Sequence, residues 1–346
     1  MGKFSYKNIL VIRTDRIGDV ILTTPALKAL RIAFPGAKIT VMVAPLTEAL
    51  IEDNPYIDDI IVDDRRGEYE GMFGTLSLIG LLRLKKFDLA INYHTKRRTN
   101  FLAFMAGIKH RLGYKNNKFG YLLNKSVKDT RHLGERHEVD CCLDLLEAID
   151  VRSQGKELFI TVRDAAEEWV GQFLSQNNID RSLPFVLVHP GASDPNKMWP
   201  AKQFGLLIDR LNDEYNAQII LVGAPNIREV SRKIKAFAMH DPIDLTGVTA
   251  LPQLVSLIKH ADLLISNDSG PVHVAAALNK PVISIFTRNQ PGINPDRWKP
   301  LGEHSKALFP SKGANFAELE ESKVVENNEF ISVSDVLQEV DAFLKL

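Results

Sequence analysis

Apolar positions along the chain fall into two kinds of run. Short, nearly continuous apolar segments occupy residues 8–13, 38–43, 60–62, 89–92, 185–189, 218–223, 243–245, 263–265 and 281–286. A run of this length without polar alternation predicts a strand buried on both faces, as in a parallel sheet. Between these runs, apolar residues recur at helical spacing over 20–34, 76–86, 137–149, 164–176, 200–215, 227–238, 251–260 and 272–278, and a further helix starts at 101–106. Pro25 is expected to kink the first of them. A last amphipathic stretch, 333–346, puts Val336, Leu337, Val340 and Phe343 on one face. Strand alternating with helix predicts an α/β protein with mostly parallel sheets. The polar, turn-rich segment 177–184 divides the series into halves that each open with strand, polar turn and helix. The expected architecture is two Rossmann-like, doubly wound domains facing across a cleft, at 1–165 and 184–330. A terminal helix, 331–346, is expected to pack back toward the N-terminal domain.

Composition changes this picture little. The 346 residues carry 43 Lys and Arg against 43 Asp and Glu, so bulk charge does not suggest nucleic acid. The two cysteines, Cys141 and Cys142, are adjacent; they cannot form a disulfide framework and suit a reducing compartment. No signal-peptide pattern opens the chain, and no apolar run approaches the ~20 residues that would span a bilayer. The expected location is cytoplasmic. Local charge is another matter. From Leu89 to Lys128 there is no Asp or Glu, while Lys96, Arg97, Arg98, Lys109, Arg111, Lys115, Lys118, Lys125 and Lys128 are interleaved with aromatics. Such a run is usually a solvated face, and otherwise a surface for an anionic partner.

Candidate chemistry gathers at three strand-to-helix turns. The turn after the first strand holds Arg13, Asp15, Arg16, Gly18 and Asp19. Asp19 near a helix start reads either as an N-terminal helix charge or as a general base at a strand's carboxyl end. The turn at 189–200 combines Gly191, Ser193 and Lys197 before a helix, which resembles a phosphate site. The turn at 267–273 brings Asp268, Ser269, Gly270 and His273 together; Asp268 or Ser269 can cap the following helix, whose first turn suits Pro271. A Walker A loop, Gly-x-Gly-x-x-Gly, Gly-x-Ser-x-Gly, Cys-x-x-Cys, His-Glu-x-x-His and Asp-x-Asp are all absent from the sequence. Neither a metal nor a cofactor is therefore expected.

Taken together these turns resemble glycosyltransferase family 9, the ADP-heptose:lipopolysaccharide heptosyltransferases. The resemblance rests on Arg-Ile-Gly-Asp-Val-Ile-Leu-Thr-Thr-Pro-Ala-Leu at 16–27, His-Pro-Gly-Ala at 189–192 and Lys-Met-Trp-Pro at 197–200. It continues through Asn-Asp-Ser-Gly-Pro-Val-His-Val-Ala-Ala-Ala-Leu at 267–278 and Asn-Pro-Asp-Arg-Trp at 294–298. It implies a GT-B fold, with the acceptor in the N-terminal domain and the donor in the C-terminal one. It implies inverting transfer of heptose from ADP-heptose to an inner-core acceptor. Asp19 falls on the family's catalytic base, Ser193 and Lys197 on its diphosphate turn, and Asp268 on its sugar-binding aspartate. Ser269, Gly270 and His273 fall on the donor-contacting turn, and Glu229 is a candidate for the ribose. Where members often have Phe-Gly-Pro-Thr, this chain has Phe286-Thr-Arg-Asn.

With that acceptor in view, Arg16, Lys96, Arg97 and Arg98 become candidate acceptor contacts. The expected partners are an ADP-sugar, an anionic lipid-linked oligosaccharide and the inner face of the cytoplasmic membrane, held peripherally through the basic run, with no nucleic acid. Other readings are an enzyme of the same fold using another nucleotide sugar or acceptor, and a nucleotide-sugar-binding protein without catalysis.

Overall fold

The computed structural model describes residues 5–310 and 331–344. The chain divides into two compact units, Met1–Thr161 and Val162–Leu346. In the first, six parallel strands run β1 Asn8–Arg13, β2 Lys38–Val43, β3 Asp59–Val62, β4 Leu89–Asn92, β5 His110–Lys115 and β6 Lys125–Lys128. Their order in the sheet is β3-β2-β1-β4-β5-β6. The second unit repeats the plan with β7 Phe185–His189, β8 Gln218–Leu221, β9 Ile243–Asp244, β10 Leu263–Asn267, β11 Val282–Ile285 and β12 Ser305–Leu308. Its order, β12-β11-β10-β7-β8-β9, is the same doubly wound arrangement, again all parallel. In such a sheet the connections reverse direction beside the first strand, so the loops there splay apart at the strands' carboxyl ends. Those switch points lie between β1 and β4 and between β7 and β10.

The cores follow from strand alternation. Leu10, Ile12, Met42, Ile61 and Ala90 face one side of the first sheet and are covered by Leu78, Ile79 and Leu82 of helix Gly71–Leu84 and by Leu102 and Ala103 of helix Arg97–Met105. Arg13 therefore points to the opposite side, where helices Thr24–Ala33 and Glu138–Glu147 pack on each other. In the second unit, Val186, Val188, Ile219, Leu263, Ile265 and Ile283 pack against Phe204, Leu207 and Leu211 of helix Ala201–Tyr215. Val336, Leu337 and Val340 of helix Val333–Leu344 belong to this same core. The apolar face of the terminal helix is thus filled within the second unit, and its anchor is local: the indole of buried Trp199 donates to the carbonyl of Ile331 at 2.9 Å.

Three features differ from expectation. The first helix does not kink at Pro25 but breaks into Ile17–Ile21 and Thr24–Ala33, with Thr23 as N-cap and the proline in the new first turn. Proline lacks the N–H that a helix interior needs, and a first turn does not use it. The basic run contains two strands, β5 and β6, whose sequences His-Arg-Leu-Gly-Tyr-Lys and Lys-Ser-Val-Lys are too polar to read as buried. β6 forms one edge of its sheet, where lysines discourage pairing with another chain. β12, Ser-Lys-Ala-Leu, is likewise an edge strand.

Candidate active site

The first cluster is built around Arg13, the last residue of β1, whose side chain is 1% exposed. Three carboxylates surround its guanidinium. Nη2 reaches Asp19 at 2.9 Å and Glu138 at 2.8 Å, and Nε lies 3.3 Å from Asp15. Nε also donates to the Asp19 carbonyl at 3.1 Å, and Nη1 to the Tyr93 carbonyl just beyond β4 at 3.2 Å. Arg131 stacks 3.7 Å above the Tyr114 ring, pairs with Asp129 at 3.0 Å and lies 3.7 Å from Glu138. Burial pushes the Asp19 carboxyl up to about 7, against the pull of Arg13; Asp15 and Glu138 add to the rise. Asp19 is the third residue of its short helix and keeps 17% of its side chain open to solvent. It is a carboxylate that can take a proton near neutral pH from a group delivered from outside.

Beside it, the carboxyl ends of β3 and β4 add a second layer. Thr14 Oγ1 lies 2.9 Å from His94 Nδ1 and accepts from Arg65 Nη2 at 2.7 Å. Burial pushes the His94 imidazole down to about 4, so it is neutral at pH 7. Asp63, whose side chain is fully buried, holds Arg65 and Arg98, each at 2.9 Å. Of the expected acceptor cations, Lys96 and Arg97 are exposed, and Arg16 is exposed beside Asp19. Arg98 is committed to Asp63 and to Thr75 Oγ1 at 2.7 Å. Its charge does structural work here that a count of basic residues does not reveal.

The second cluster lies at the switch point of the other sheet. Lys197 and Asp268, 71 positions apart, form a close, largely buried ion pair. Asn267 ties the two turns together: its amide donates to the Pro190 carbonyl at 2.6 Å and its carbonyl accepts from Trp199 N at 2.9 Å. Ser269 stands at the N-cap of helix Gly270–Ala277, yet its side chain makes no capping hydrogen bond. Ser269 Oγ turns instead to His189 Nδ1 at 3.2 Å and Ser266 Oγ at 2.9 Å. Burial pushes His189 down to about 4, so this ring too is neutral. Gly191 is closely packed: a Cβ there would sit 2.9 Å from the Ile227 Cδ1 and 3.2 Å from the His189 ring, so these side chains would have to shift. Ser193 is exposed on the turn, Gly270 opens the helix, and His273 is buried beneath it. Glu229 is exposed and paired with Arg232.

Two residues at the heart of these clusters escape a reading of turns alone. His189 ends an apolar strand and looks like part of a loop motif. Glu138 had a usable signal, since it heads the stripe Glu138, Cys142, Leu145 and Ile149 at helical spacing, and is a charge where the pattern calls for an apolar residue.

A family model described as glycosyltransferase family 9 (heptosyltransferase) matches residues 75–327. A Haemophilus influenzae protein assigned only as a glycosyltransferase is 26% identical over 98% of this chain and 97% of its own length. The lipopolysaccharide heptosyltransferase 3 of Escherichia coli is 28% identical over 78% of this chain and 80% of its own. The crystal structure of a family 9 glycosyltransferase from Veillonella parvula superposes with a TM-score of 0.86 at 26% identity, covering 99% of this chain and 98% of that one. The E. coli ADP-heptose lipopolysaccharide heptosyltransferase II gives 0.76 at 24% identity, covering 98% of both chains. The fold is of the GT-B type.

The arrangement around Arg13 makes a specific prediction. Glu138→Gln removes a negative charge that shares Nη2 with Asp19, so Arg13 should favour the Asp19 carboxylate more strongly. A carboxyl-carbon NMR titration should place the Asp19 midpoint below about 7 in that variant. An unmoved or raised midpoint would show that the Glu138 charge does not hold the Asp19 midpoint up.

Proposed function

Because this chain belongs to glycosyltransferase family 9 and is a glycosyltransferase, we propose that it moves a heptose from ADP-heptose to an inner-core lipopolysaccharide acceptor, inverting the anomeric carbon. The observation that supports this most is a carboxylate kept basic at a switch point, Asp19, in a chain whose other switch point joins a lysine to an aspartate. The acceptor binds the first unit near Arg16, Lys96 and Arg97, and the donor binds the second. An acceptor hydroxyl attacks the anomeric carbon on the side opposite ADP. Its proton passes to Asp19 as the new bond forms. The bond to the diphosphate breaks and its electron pair leaves with ADP.

Lys197, Ser193 and the Gly270 N–H at the start of helix Gly270–Ala277 stabilise the charge that grows on the diphosphate. Diverting Ser269 toward His189 leaves the helix start without a cap from the Ser269 side chain, which suits this role. Asp268 holds sugar hydroxyls, and a phosphate arriving at Lys197 loosens its hold on that lysine. Since the acceptor is lipid-linked, the enzyme works peripherally at the inner face of the cytoplasmic membrane. No helix among the described residues is long and apolar enough to cross it.

A second reading, the same chemistry with another nucleotide sugar or acceptor, is favoured by the loop after β11. There Thr287 donates to the Asn196 carbonyl at 2.8 Å and Arg288 pairs with Asp194 at 2.8 Å, tying the segment that departs from the family pattern to the diphosphate turn. Calorimetry with ADP and ADP-heptose separates the roles. Lys197→Ala should weaken both ligands by roughly ten- to a hundredfold, the usual range for a hydrogen bond to a charged group. Asp268→Ala should weaken ADP-heptose while sparing ADP, because it frees Lys197. Equal weakening of both by Asp268→Ala would assign that residue to the nucleotide or to folding. In a transfer assay, Asp19→Asn should lower turnover by about 10²–10⁴ with donor affinity kept. Turnover like that of the unmodified enzyme would refute its role as base.

A further inference from the structure

Helix Gly71–Leu84 is apolar on both sides. Leu78, Ile79 and Leu82 fill the core beneath it. On its outer side Phe73 is 81% exposed, Leu76 53% and Leu84 80%, with Met72 at 70%. The spacing 73, 76, 80, 84 is a single helical stripe, and at its middle Gly80 has open space where a Cβ would stand. The neighbouring helix Arg97–Met105 extends the stripe with partly exposed Phe101 and Phe104. The two helices are fastened side by side by Arg98 donating to Thr75 at 2.7 Å and by Arg83 donating to the Met105 carbonyl at 3.0 Å. Scattered exposed apolar residues are ordinary, but a contiguous stripe on paired helices marks an interaction surface.

The charge around the stripe selects the partner. Arg111 lies 5.4 Å from the centre of the Phe104 ring, and Arg97 lies 5.6 Å from that of Phe119, which itself packs edge-on against exposed Tyr121. These cations belong to the run from Leu89 to Lys128 that contains no acid. Glu68 and Glu70 precede the first turn of helix Gly71–Leu84 at one end of the stripe. Aliphatic and phenyl groups for acyl chains, beside arginines for headgroup phosphates, are what a helix lying in a bilayer interface presents. Fourteen residues of helix give it a length of about 21 Å in that plane.

We propose that the outward stripe of helix Gly71–Leu84, with Phe101 and Phe104 beside it, docks onto an anionic lipid surface. This deepens the reading of a lipid-linked acceptor and rests on it. The stripe supplies the insertion; exposed Lys96 and Arg97 supply the preference for negative headgroups, with Arg111 adding charge while its Nε and Nη1 donate to the Leu122 and Ile108 carbonyls. Docking by this face would hold the first unit against the leaflet that carries the acceptor.

The test uses the full chain and vesicles of phosphatidylcholine, with and without phosphatidylglycerol. The protein should sediment with the anionic vesicles, and less so as salt rises. Phe73→Ser combined with Leu84→Ser should lower the vesicle partition coefficient by about tenfold or more, as expected when two apolar side chains no longer enter the interface. Both positions are exposed, so the melting temperature and ADP binding should be unchanged, which excludes misfolding as the cause. Partitioning that ignores the double substitution would overturn the proposal. So would a concentration-dependent dimer, seen by analytical ultracentrifugation, that the substitutions abolish while anionic vesicles bind neither form. The variant should also raise KM for an acylated acceptor in vesicles and leave a soluble deacylated one unaffected. Vesicle binding is read without turnover, so an enzyme inactive on every inner-core acceptor would end the functional reading without deciding the docking.

Discussion

A guanidinium with almost no access to water, held among three carboxylates, is the constraint on which the first unit depends. Burying Arg13 is tolerable only because Asp15, Asp19 and Glu138 compensate it and the Tyr93 carbonyl takes a further proton donor. The carboxylates outnumber it in turn, and Arg131 offsets part of the excess at Glu138. What remains is a carboxyl group, Asp19, that burial makes more basic than an ordinary aspartate while Arg13 fixes its position. The same contact pins the turn after β1 to the end of β4 and to helix Glu138–Glu147. The loops at the switch point are therefore set by the electrostatics that tune the site.

The second unit uses the same strand order for different chemistry. Among the described residues, its switch point holds no buried arginine. Neutral His189 sits there instead, with two serine hydroxyls, and the ion pair Lys197–Asp268 stands in front of it. Asn267 links both turns through the backbone, so the lysine and the aspartate are positioned by one residue that touches neither sugar nor phosphate in the proposed mechanism. In the proposed mechanism one fold thus supplies a proton acceptor in one copy and a binder of negative charge in the other, according to which side chains stand at and after the ends of β1 and β7.

Most of the fold was legible in the chain because a parallel sheet buried on both faces demands unbroken apolar runs. β1, β2, β4 and β7 coincide with such runs residue for residue. β5, β6 and β12 were not legible, since strands toward the sheet edges can alternate lysine with small residues and still pair. The site was legible as turns but not as contacts. Gly18, Asp19, Lys197 and Asp268 stand out locally, yet nothing in the sequence says that Lys197 meets Asp268 or that Arg13 meets Glu138 across 125 positions. Arg98 shows the converse error: a cation counted toward an anionic partner is spent on buried Asp63. The apolar stripe of helix Gly71–Leu84 reads in the sequence only as part of the helical stretch 76–86, too short to span a bilayer, because hydrophobicity alone does not reveal which side faces out.

The central claim is that catalysis runs through a carboxylate whose basicity is set by its burial beside Arg13. The pH dependence of kcat/KM for heptosyl transfer tests it most directly. A general base works only when deprotonated, so the rate should be lost as pH falls through the value of the folded enzyme. The account predicts half-maximal kcat/KM near pH 7 and a tenfold fall for each unit below it. A profile flat from pH 5 to 8, or a limb near the ordinary aspartate value of about 4, would contradict it.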